Sequence, residues 1–265
     1  MKRFQMTFLT QEDGSMTKKN LAILQARMSS TRLPGKVLAI INEQPMIYWQ
    51  IKRIKEAKSI DELVVAISTD QDDDELADFL QENGFLVERG SIDNVFERFL
   101  QVLDRFRDFE NIVRLTADCP LVMPSLIDEM VAKFEGSDID YLSNALDPTF
   151  PDGLDIEIVR RSALVRLGEH PLSVSEMEHV TLGLQNRASD FVIGNYSQDL
   201  DLSNLRWTVD YKEDLEFVRR IYAEFKGKET TFNYEDLLEL LAAKPELNNV
   251  ISDNLRNVAI KETEE

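Results

Sequence analysis

The chain has 265 residues, and its 49 acidic against 30 basic side chains give a formal net charge of -19. This balance argues against binding to long nucleic acid, and no apolar run approaches the ~18–20 residues of a membrane span. The single cysteine excludes an internal disulfide framework and fits a reducing compartment, so we expect a cytoplasmic protein that binds neither nucleic acid nor membrane.

The first predicted element is a short strand at residues 21–26. These residues are apolar except for Gln25, which is typical of a strand buried on both faces of a parallel sheet. A polar loop follows, with a Pro34-Gly35 turn signal near its end. The loop contains three cations, which are Arg27, Arg32 and Lys36.

This basic loop indicates an anion-binding site. No Asp or Glu occurs from Gly14 through Asn42, although the chain as a whole is acidic. A basic loop at the carboxyl end of a first strand favours a polyanion, for which a nucleotide triphosphate is our best interpretation. It is not a Walker A loop, because Ser30 stands where the first glycine would be and Val37 follows the lysine. A solvated loop that balances acidic helices is the alternative.

Strands and helices then alternate along the chain. Apolar periodicity predicts helices at 45–57, 72–83, 92–106 and 124–134, and strands at 63–67, 85–88 and 112–116. Such alternation predicts right-handed βαβ units and a mainly parallel sheet. The acidic run at 72–75 is interpreted as a solvated first helical turn, not as a metal site.

From residue 139 the pattern is less regular. Strands are predicted at 140–144, 154–159, 191–194 and 205–209, and helices at 162–168, 174–187, 214–225 and 234–243. No internal repeat or low-complexity linker occurs. We therefore expect one domain at 20–265 with an inserted lobe around 140–200. Residues 1–19 show no sustained period and are predicted to form a flexible tail.

Two aspartates are candidate metal ligands. Asp118 and Asp210 each stand just after a predicted buried strand, so both are expected at the carboxyl edge of the sheet, where ligand sites form in α/β proteins. Mg²⁺ is commonly held by one or two carboxylates together with phosphate oxygens, so the pair fits a metal that bridges protein and nucleotide. Alternatively, each aspartate caps the helix that follows it.

Four further polar residues are candidate substrate contacts. Asp155 and Glu157 share one face of their predicted strand because their spacing is two. Glu178 and His179 lie early in a predicted helix. Each could equally be an ordinary surface residue, and spacing alone does not decide. Cys119 is interpreted as a packing residue rather than a nucleophile.

Several blocks of the sequence resemble one known family. Residues 26–36 (ARMSSTRLPGK) resemble the signature of the sugar-acid cytidylyltransferases, the group of CMP-KDO synthetase and acylneuraminate cytidylyltransferase. Further blocks in the family's order are 114–120 (RLTADCP), 151–157 (PDGLDIE), 178–181 (EHVT) and 207–210 (WTVD). They bring the chain closest to the spore-coat polysaccharide branch, although Ala117 stands where relatives usually have glycine.

The resemblance implies a fold and roles for individual residues. The fold is a three-layer α/β sandwich with a mainly parallel mixed sheet, like that of nucleotide-diphospho-sugar transferases. Nucleotide-binding residues would be Ala26, Arg27, Ser29, Ser30, Arg32 and Lys36, with Asn94 and Arg98 near the cytidine. Sugar-side residues would be Asp155, Glu157, Glu178 and His179. Mg²⁺ would be bound by Asp118 and Asp210, which form the catalytic set with Arg27 and Lys36.

Our first hypothesis is a Mg²⁺-dependent cytidylyltransferase that converts CTP and a sugar acid into a CMP-sugar and pyrophosphate. The resemblance also implies a homodimer and a role in surface or spore-coat polysaccharide synthesis. One alternative is a glycosyltransferase of similar fold, but the expected Asp-x-Asp position reads Asp118-Cys119-Pro120. The other alternative is a non-catalytic nucleotide-binding partner, which the intact set of Arg27, Lys36, Asp118 and Asp210 argues against.

Overall fold

The structure is a computed structural model that describes residues 19–250. The tail predicted at 1–19 lies outside the described residues apart from Lys19. The strands are β1 (Asn20–Gln25), β2 (Ile40–Ile41), β3 (Gln44–Pro45), β4 (Glu62–Ser68), β5 (Leu86–Gly90), β6 (Asn111–Thr116), β7 (Tyr141–Ser143), β8 (Glu157–Arg160) and β9 (Ile193–Asn195). The helices are α1 (Met46–Ile54), α2 (Asp74–Glu82), α3 (Val95–Arg105), α4 (Pro124–Glu135), α5 (Arg161–Leu167), α6 (Val174–Glu178), α7 (Leu182–Gln185), α8 (Lys212–Glu224) and α9 (Tyr234–Ala243).

Within this described part, seven strands form one mixed sheet in the order β5-β4-β1-β6-β8-β7-β9. β1 lies between β4 and β6 and pairs in parallel with both, with Ile23 opposite Val64 on one side and Arg114 on the other. β4 and β5 are also parallel, and so are β7 and β9, whereas β8 runs antiparallel to its neighbours β6 and β7. The mainly parallel mixed sheet predicted from the sequence is confirmed.

Apolar side chains of the central strand alternate between two cores. Ala22 and Leu24 pack into one core, and Leu21 and Ile23 pack into the other. Helices α1, α2, α4, α8 and α9 cover the first core, and α3, α5 and α7 cover the second. A helix layer on each face of the sheet gives the predicted three-layer sandwich. None of the helices within residues 19–250 is long and apolar enough to cross a membrane.

Two predicted elements are wrong. The strand expected at 205–209 is absent; this segment forms only an isolated bridge between Arg206 and Asp152. Its backbone bonds to two separate loops instead, because the Trp207 N–H donates to the Asp152 carbonyl at 2.5 Å and the Val209 N–H donates to the Asp118 carbonyl at 2.8 Å. The helix expected at 174–187 is two short helices, α6 and α7.

The other predicted elements are found within three residues at each end. The hairpin of β2 and β3 was not predicted, and its turn residues Asn42 and Glu43 both have positive φ.

β8 begins at Glu157, so Asp155 precedes the strand. The inserted lobe expected around 140–200 stays a prediction; its strands β7, β8 and β9 are hydrogen-bonded into the main sheet.

Candidate active site

A cavity of about 630 Å³ lies at the carboxyl ends of β1 and β6. Twelve of the fourteen predicted site residues line it, namely Ala26, Arg27, Ser30, Arg32, Lys36, Arg98, Asp118, Asp155, Glu157, Glu178, His179 and Asp210. Ser29 and Asn94 are outside this lining. Asn94 caps α3 instead, where its Oδ1 accepts the Glu97 N–H at 2.9 Å. The parallel strands β1 and β6 therefore bring the basic loop and Asp118 to one place, as the carboxyl-edge argument predicts. Asp210 lines the same cavity, although the segment before it is not a strand.

Lys36 joins the two aspartates. It follows Gly35, whose φ of +70° allows the tight turn into a short 3-10 helix. The Lys36 side chain is almost buried, and its Nζ lies 3.0 Å from Asp210 Oδ1 and 3.5 Å from Asp118 Oδ2. It also donates to the Val209 carbonyl at 2.6 Å. The two carboxylates therefore converge on a single cation.

The basic loop is held in place by Asp73. This aspartate is 1% exposed, and its Oδ1 accepts the Met28 N–H at 2.6 Å. Its Oδ2 accepts the N–H and the hydroxyl of Ser68 at 2.9 and 2.5 Å. The prediction that the whole run 72–75 is solvated is wrong for Asp73, because the end of β4 and the loop present donors that one buried acceptor satisfies.

Asp118 is positioned by its own strand end. Its Oδ1 accepts the Thr116 hydroxyl at 2.6 Å and lies 3.4 Å from the Cys119 thiol. Burial acts to raise the pKa of Asp118, but the Lys36 ammonium and these hydrogen bonds outweigh it, so the pKa is lowered and the carboxylate is ionised at neutral pH. Burial and the neighbouring Asp118 charge raise the pKa of Cys119 well above its ordinary value, so it remains a thiol.

Asp210 contacts three cations. Its Oδ1 lies 3.0 Å from both Lys36 Nζ and Arg32 Nη2, and its Oδ2 lies 2.6 Å from Arg206 Nη2. Arg206 is 7% exposed and lines the same cavity. Sequence analysis did not identify Arg206, because an arginine inside a predicted strand carries no local signal of what it contacts.

The opposite wall of the cavity is a buried polar network around Glu157. Arg114 on β6 and Glu157 on β8 are directly opposite in the sheet and form an ion pair. Glu157 also accepts hydrogen bonds from the Tyr141 hydroxyl and, at 2.5 Å, from the Thr181 hydroxyl. Arg114 donates in turn to Gln25 Oε1 at 3.1 Å. Burial acts to raise the pKa of Glu157, but Arg114 and the hydroxyl donors lower it, so Glu157 is an ionised part of the wall.

Arg27 and Glu178 both line the cavity and form an ion pair. The Arg27 side chain is 52% exposed, and its Nη2 lies 3.6 Å from Glu178 Oε1. The neighbouring His179 also lines the cavity, and burial lowers its pKa, with a further contribution from nearby arginines that include Arg114. The imidazole is therefore neutral at neutral pH. Glu178 and His179 lie at the break between α6 and α7, where Val180 has a φ of +28°.

Glu176 fixes the short helix that carries Glu178. Its Oε2 accepts the Ser173 N–H at 2.8 Å, and the Ser173 hydroxyl accepts the Glu176 N–H, which forms a capping box. Its Oε1 accepts from Arg187 Nη1 at 2.5 Å. The hydrogen bond from Arg187 is the largest of the effects that lower the pKa of Glu176 from 4.5 to about 2.

This lowered pKa predicts a pH-dependent contribution to stability. Because the folded pKa of Glu176 lies below its unfolded value, the carboxylate stabilises the fold above about pH 4.5, and this contribution is lost as the pH falls towards 2. We expect Glu176→Gln to lower the free energy of unfolding by about 2–3 kcal/mol at neutral pH and by progressively less below about pH 4.5. Urea unfolding across this range measures it, with exposed Glu56→Gln as control. A difference from wild type that does not vary with pH would contradict the assignment.

Gly153 lies where the turn at 151–153 crosses the segment that leads to Asp210. Its φ is +108°, and a Cβ there would lie 2.4 Å from the Thr208 nitrogen and 2.5 Å from the Trp207 carbonyl carbon. We expect Gly153→Ala to lower the free energy of unfolding by about 3 kcal/mol or more, because backbone must move. Gly84→Ala is the matched control, since Gly84 has a φ of +71° with nothing within 4 Å. It is expected to cost about 1 kcal/mol, and equal losses in urea unfolding would contradict this prediction.

A mainly parallel sheet with a basic loop after β1, and two carboxylates that share a cation near its carboxyl edge, fits the class of nucleotidyltransferases. The comparisons with known proteins show this class. The comparison with family models is more specific. The chain belongs to the cytidylyltransferase family, because that family's model matches residues 21–225.

Individual relatives agree with this family. The chain is 34% identical over 235 residues to the spore coat polysaccharide biosynthesis protein SpsF of Bacillus subtilis, which covers 85% of this chain and 95% of that protein. It is 31% identical to a solved cytidylyltransferase from Leptospira borgpetersenii, with a TM-score of 0.83 over 90% of this chain and 100% of that chain. The structure of CMP:2-keto-3-deoxy-manno-octonic acid synthetase complexed with CTP matches 78% of this chain and 99% of its own, with a TM-score of 0.62 and 18% identity, which shows the fold alone. The family and its spore-coat branch, predicted from the sequence, are confirmed.

Proposed function

We propose that the protein is a Mg²⁺-dependent cytidylyltransferase that converts CTP and a sugar acid into a CMP-sugar and pyrophosphate. The observation that carries the proposal is the contact of Lys36 with both Asp118 and Asp210 beside the basic loop. We further propose that it acts in surface or spore-coat polysaccharide synthesis, as a cytoplasmic homodimer. The relative from Bacillus subtilis, whose name refers to spore coat polysaccharide biosynthesis, supports this role.

The basic loop is proposed to bind the triphosphate. Arg32 and Lys36 now pair with Asp210, and the half-exposed Arg27 pairs with Glu178. Phosphate oxygens attract guanidinium and ammonium groups through charge-assisted hydrogen bonds, so these three side chains can exchange carboxylate for phosphate partners. Backbone and hydroxyl groups of Ala26 and Ser30, the remaining loop residues in the cavity lining, would complete this part of the site.

The two aspartates are proposed to hold Mg²⁺, and their arrangement fits the ion. Their convergence on the Lys36 ammonium places both within reach of one cation. Among residues 19–250, no group of three or more His, Cys, Asp and Glu side chains could hold a metal by itself. The ion would therefore take its other ligands from the nucleotide and water, as Mg²⁺ commonly does. When bound, the metal supplies charge stabilisation at the α-phosphate oxygens.

In the proposed reaction, the acceptor hydroxyl attacks the α-phosphorus in line with the departing pyrophosphate. Arg27 and Lys36 would stabilise the charge that develops on the pyrophosphate, as preorganised cations do in water-poor sites. The bond from the acceptor oxygen to phosphorus forms as the bond to pyrophosphate breaks, and the hydroxyl proton is released to water. The main task of the chain is therefore to position the groups.

The acceptor is proposed to lie between the basic loop and the wall around Glu157. Asp155, Glu178 and His179 line that side of the cavity. Glu157 would shape the wall through its bonds to Arg114 and neighbouring hydroxyls. On the nucleotide side, Arg98 lies on the cavity wall near the proposed cytidine position, and Asn94 would support it by capping the helix that carries it.

Thermal unfolding with CTP, UTP, GTP and ATP, each with and without Mg²⁺, tests the proposal. A ligand at about 100 times its Kd stabilises by about 2.7 kcal/mol, which for this chain length corresponds to a rise in Tm of about 5–10 °C. We expect a Mg²⁺-dependent rise chiefly with CTP, followed by pyrophosphate release when sugar acids are added. A rise with UTP or a UDP-sugar alone would favour a glycosyltransferase. No rise with any nucleotide would contradict a nucleotide site.

A further inference from the structure

Arg206 is surrounded by three carboxylates. Its Nη1 lies 2.8 Å from Asp152 Oδ2, its Nη2 lies 2.6 Å from Asp210 Oδ2, and its Nε lies 3.7 Å from Asp214 Oδ1. The residue is 7% exposed. Burial acts to lower the pKa of Arg206, but the three acidic neighbours outweigh it and raise the pKa. Arg206 is therefore a permanent, nearly buried positive charge beside the proposed metal ligand Asp210.

Two of these carboxylates are anchored independently of the basic loop. Asp214 lies in the first turn of α8, where its Oδ2 accepts the backbone N–H groups of Asp210 and Tyr211, each at 2.9 Å. The backbone of Asp152 is fixed by the bond from its N–H to the Leu205 carbonyl at 2.9 Å. Arg206 consequently keeps its orientation whichever partner the loop cations take.

The oxygens of Asp210 are divided between these two sets of cations. Oδ2 accepts from Arg206, whereas Oδ1 contacts Lys36 and Arg32 of the basic loop. If Lys36 and Arg32 turn to the phosphates of a bound nucleotide, Oδ1 becomes available to another cation while Oδ2 stays with Arg206. The hydrogen bond from Arg206 uses one acceptor position of Oδ2 and therefore favours binding of that cation through Oδ1.

We propose that Arg206 is a positioning residue: by holding Asp210 through Oδ2, it presents the single oxygen Oδ1 to the cation that accompanies the nucleotide. This inference rests on the proposed function, and it goes beyond it in assigning a role to a residue outside the recognised motifs. It also links the turn at 151–153, which precedes the sugar-side residue Asp155, to the orientation of Asp210 through one buried guanidinium.

The first test compares kcat and KM in a mutant cycle. Arg206→Lys keeps the charge but loses the planar guanidinium that reaches three carboxylates. We expect kcat to fall about 10-fold or more with the KM for CTP changed less than about 3-fold, because a misplaced ligand group affects turnover more than nucleotide binding. Arg219→Lys is the matched control, since Arg219 pairs with Glu216 on the surface of α8.

The second arm of the cycle separates positioning from a general structural role. If Arg206 acts through Asp210, adding Arg206→Lys to Asp210→Asn should change kcat by less than about 2-fold. An equal loss in both backgrounds would overturn the proposal. If Arg206→Lys does not fold, Asp152→Asn keeps the arginine and removes one anchor, and is expected to lower kcat about 3-fold or more, again only when Asp210 is present.

Mn²⁺ titration in the presence of saturating CTP, followed by electron paramagnetic resonance, gives a readout without turnover, with Mn²⁺ as the probe for the divalent site that the nucleotide completes. We expect Arg206→Lys to weaken Mn²⁺ binding about 10-fold or more, in the range typical of residues that orient metal ligands. Unchanged Mn²⁺ affinity and kcat would overturn the proposal and leave the proposed function intact. If wild type binds CTP but no Mn²⁺ with it, the Arg206 proposal fails while the nucleotide site stands. If wild type binds no CTP, the proposed function fails and the Arg206 proposal, which rests on it, fails as well.

Discussion

Lys36→Ala is expected to lower turnover at least about 10²-fold, comparable to the loss of one preorganised electrostatic group. The reason is the position of the ammonium, which is nearly buried and contacts Asp118, Asp210 and the Val209 carbonyl. Its removal takes away a cation proposed to bind the triphosphate and to stabilise the leaving pyrophosphate. Pyrophosphate release from CTP and a sugar acid measures the effect, and circular dichroism verifies the fold.

Two further variants test whether the loss of turnover comes from the missing Lys36 ammonium, rather than from the change in net charge or from the lost side-chain volume. Lys58→Ala removes an exposed lysine that is not part of the cavity lining, and it is expected to leave turnover unchanged because solvent and salt screen exposed charges. Lys36→Met keeps most of the side-chain volume and loses only the ammonium, so it should lose turnover as Lys36→Ala does. Turnover near wild type in either folded Lys36 variant would remove Lys36 from the catalytic set.

The parts of the molecule that the sequence predicts are those set by local pattern. Apolar periodicity places β1 and β6, and the rule that parallel strands end at the same edge brings the basic loop towards Asp118. Asp210 does line the cavity at this edge, but the strand predicted to lead to it, 205–209, does not form. Trp207 and Val209 are fully buried and alternate like strand residues, but they pack beneath loops, and their N–H groups bond to the loops at Asp152 and Asp118.

The sequence did not identify site residues whose hydrogen-bond partners lie far away along the chain. Asp73 accepts from Met28, which is 45 positions away, and Arg206 donates to Asp152, which is 54 positions away. No period or spacing encodes such pairs, because they depend on how loops from different strands meet above the sheet edge. The same holds for Tyr141 on β7, whose hydroxyl donates to Glu157 on β8. Once the fold is known, these contacts explain why the loop and Asp210 are rigidly held.

Asp118→Asn is expected to lower turnover at least about 10²-fold by a different route from that of Lys36. The amide has nearly the same shape and still accepts from the Thr116 hydroxyl, which now bonds at 2.6 Å, so the fold should be retained. What is lost is a carboxylate charge, and carboxylates are the ligands that Mg²⁺ takes from proteins. The rise in Tm with CTP should therefore lose its dependence on Mg²⁺, while the metal-free rise with CTP remains.

The comparison of the two variants decides between their proposed roles. Lys36→Ala should weaken CTP binding with or without Mg²⁺, because its ammonium is proposed to contact phosphate directly, whereas Asp118→Asn should weaken only the Mg²⁺-dependent part. Asp78→Asn, which changes an exposed aspartate on α2, is the control for the loss of one negative charge. If Asp118→Asn kept wild-type turnover and Mg²⁺ dependence, Asp118 would be no more than a partner of Lys36. The metal would then have to be held without it, and the proposed metal pair would be wrong.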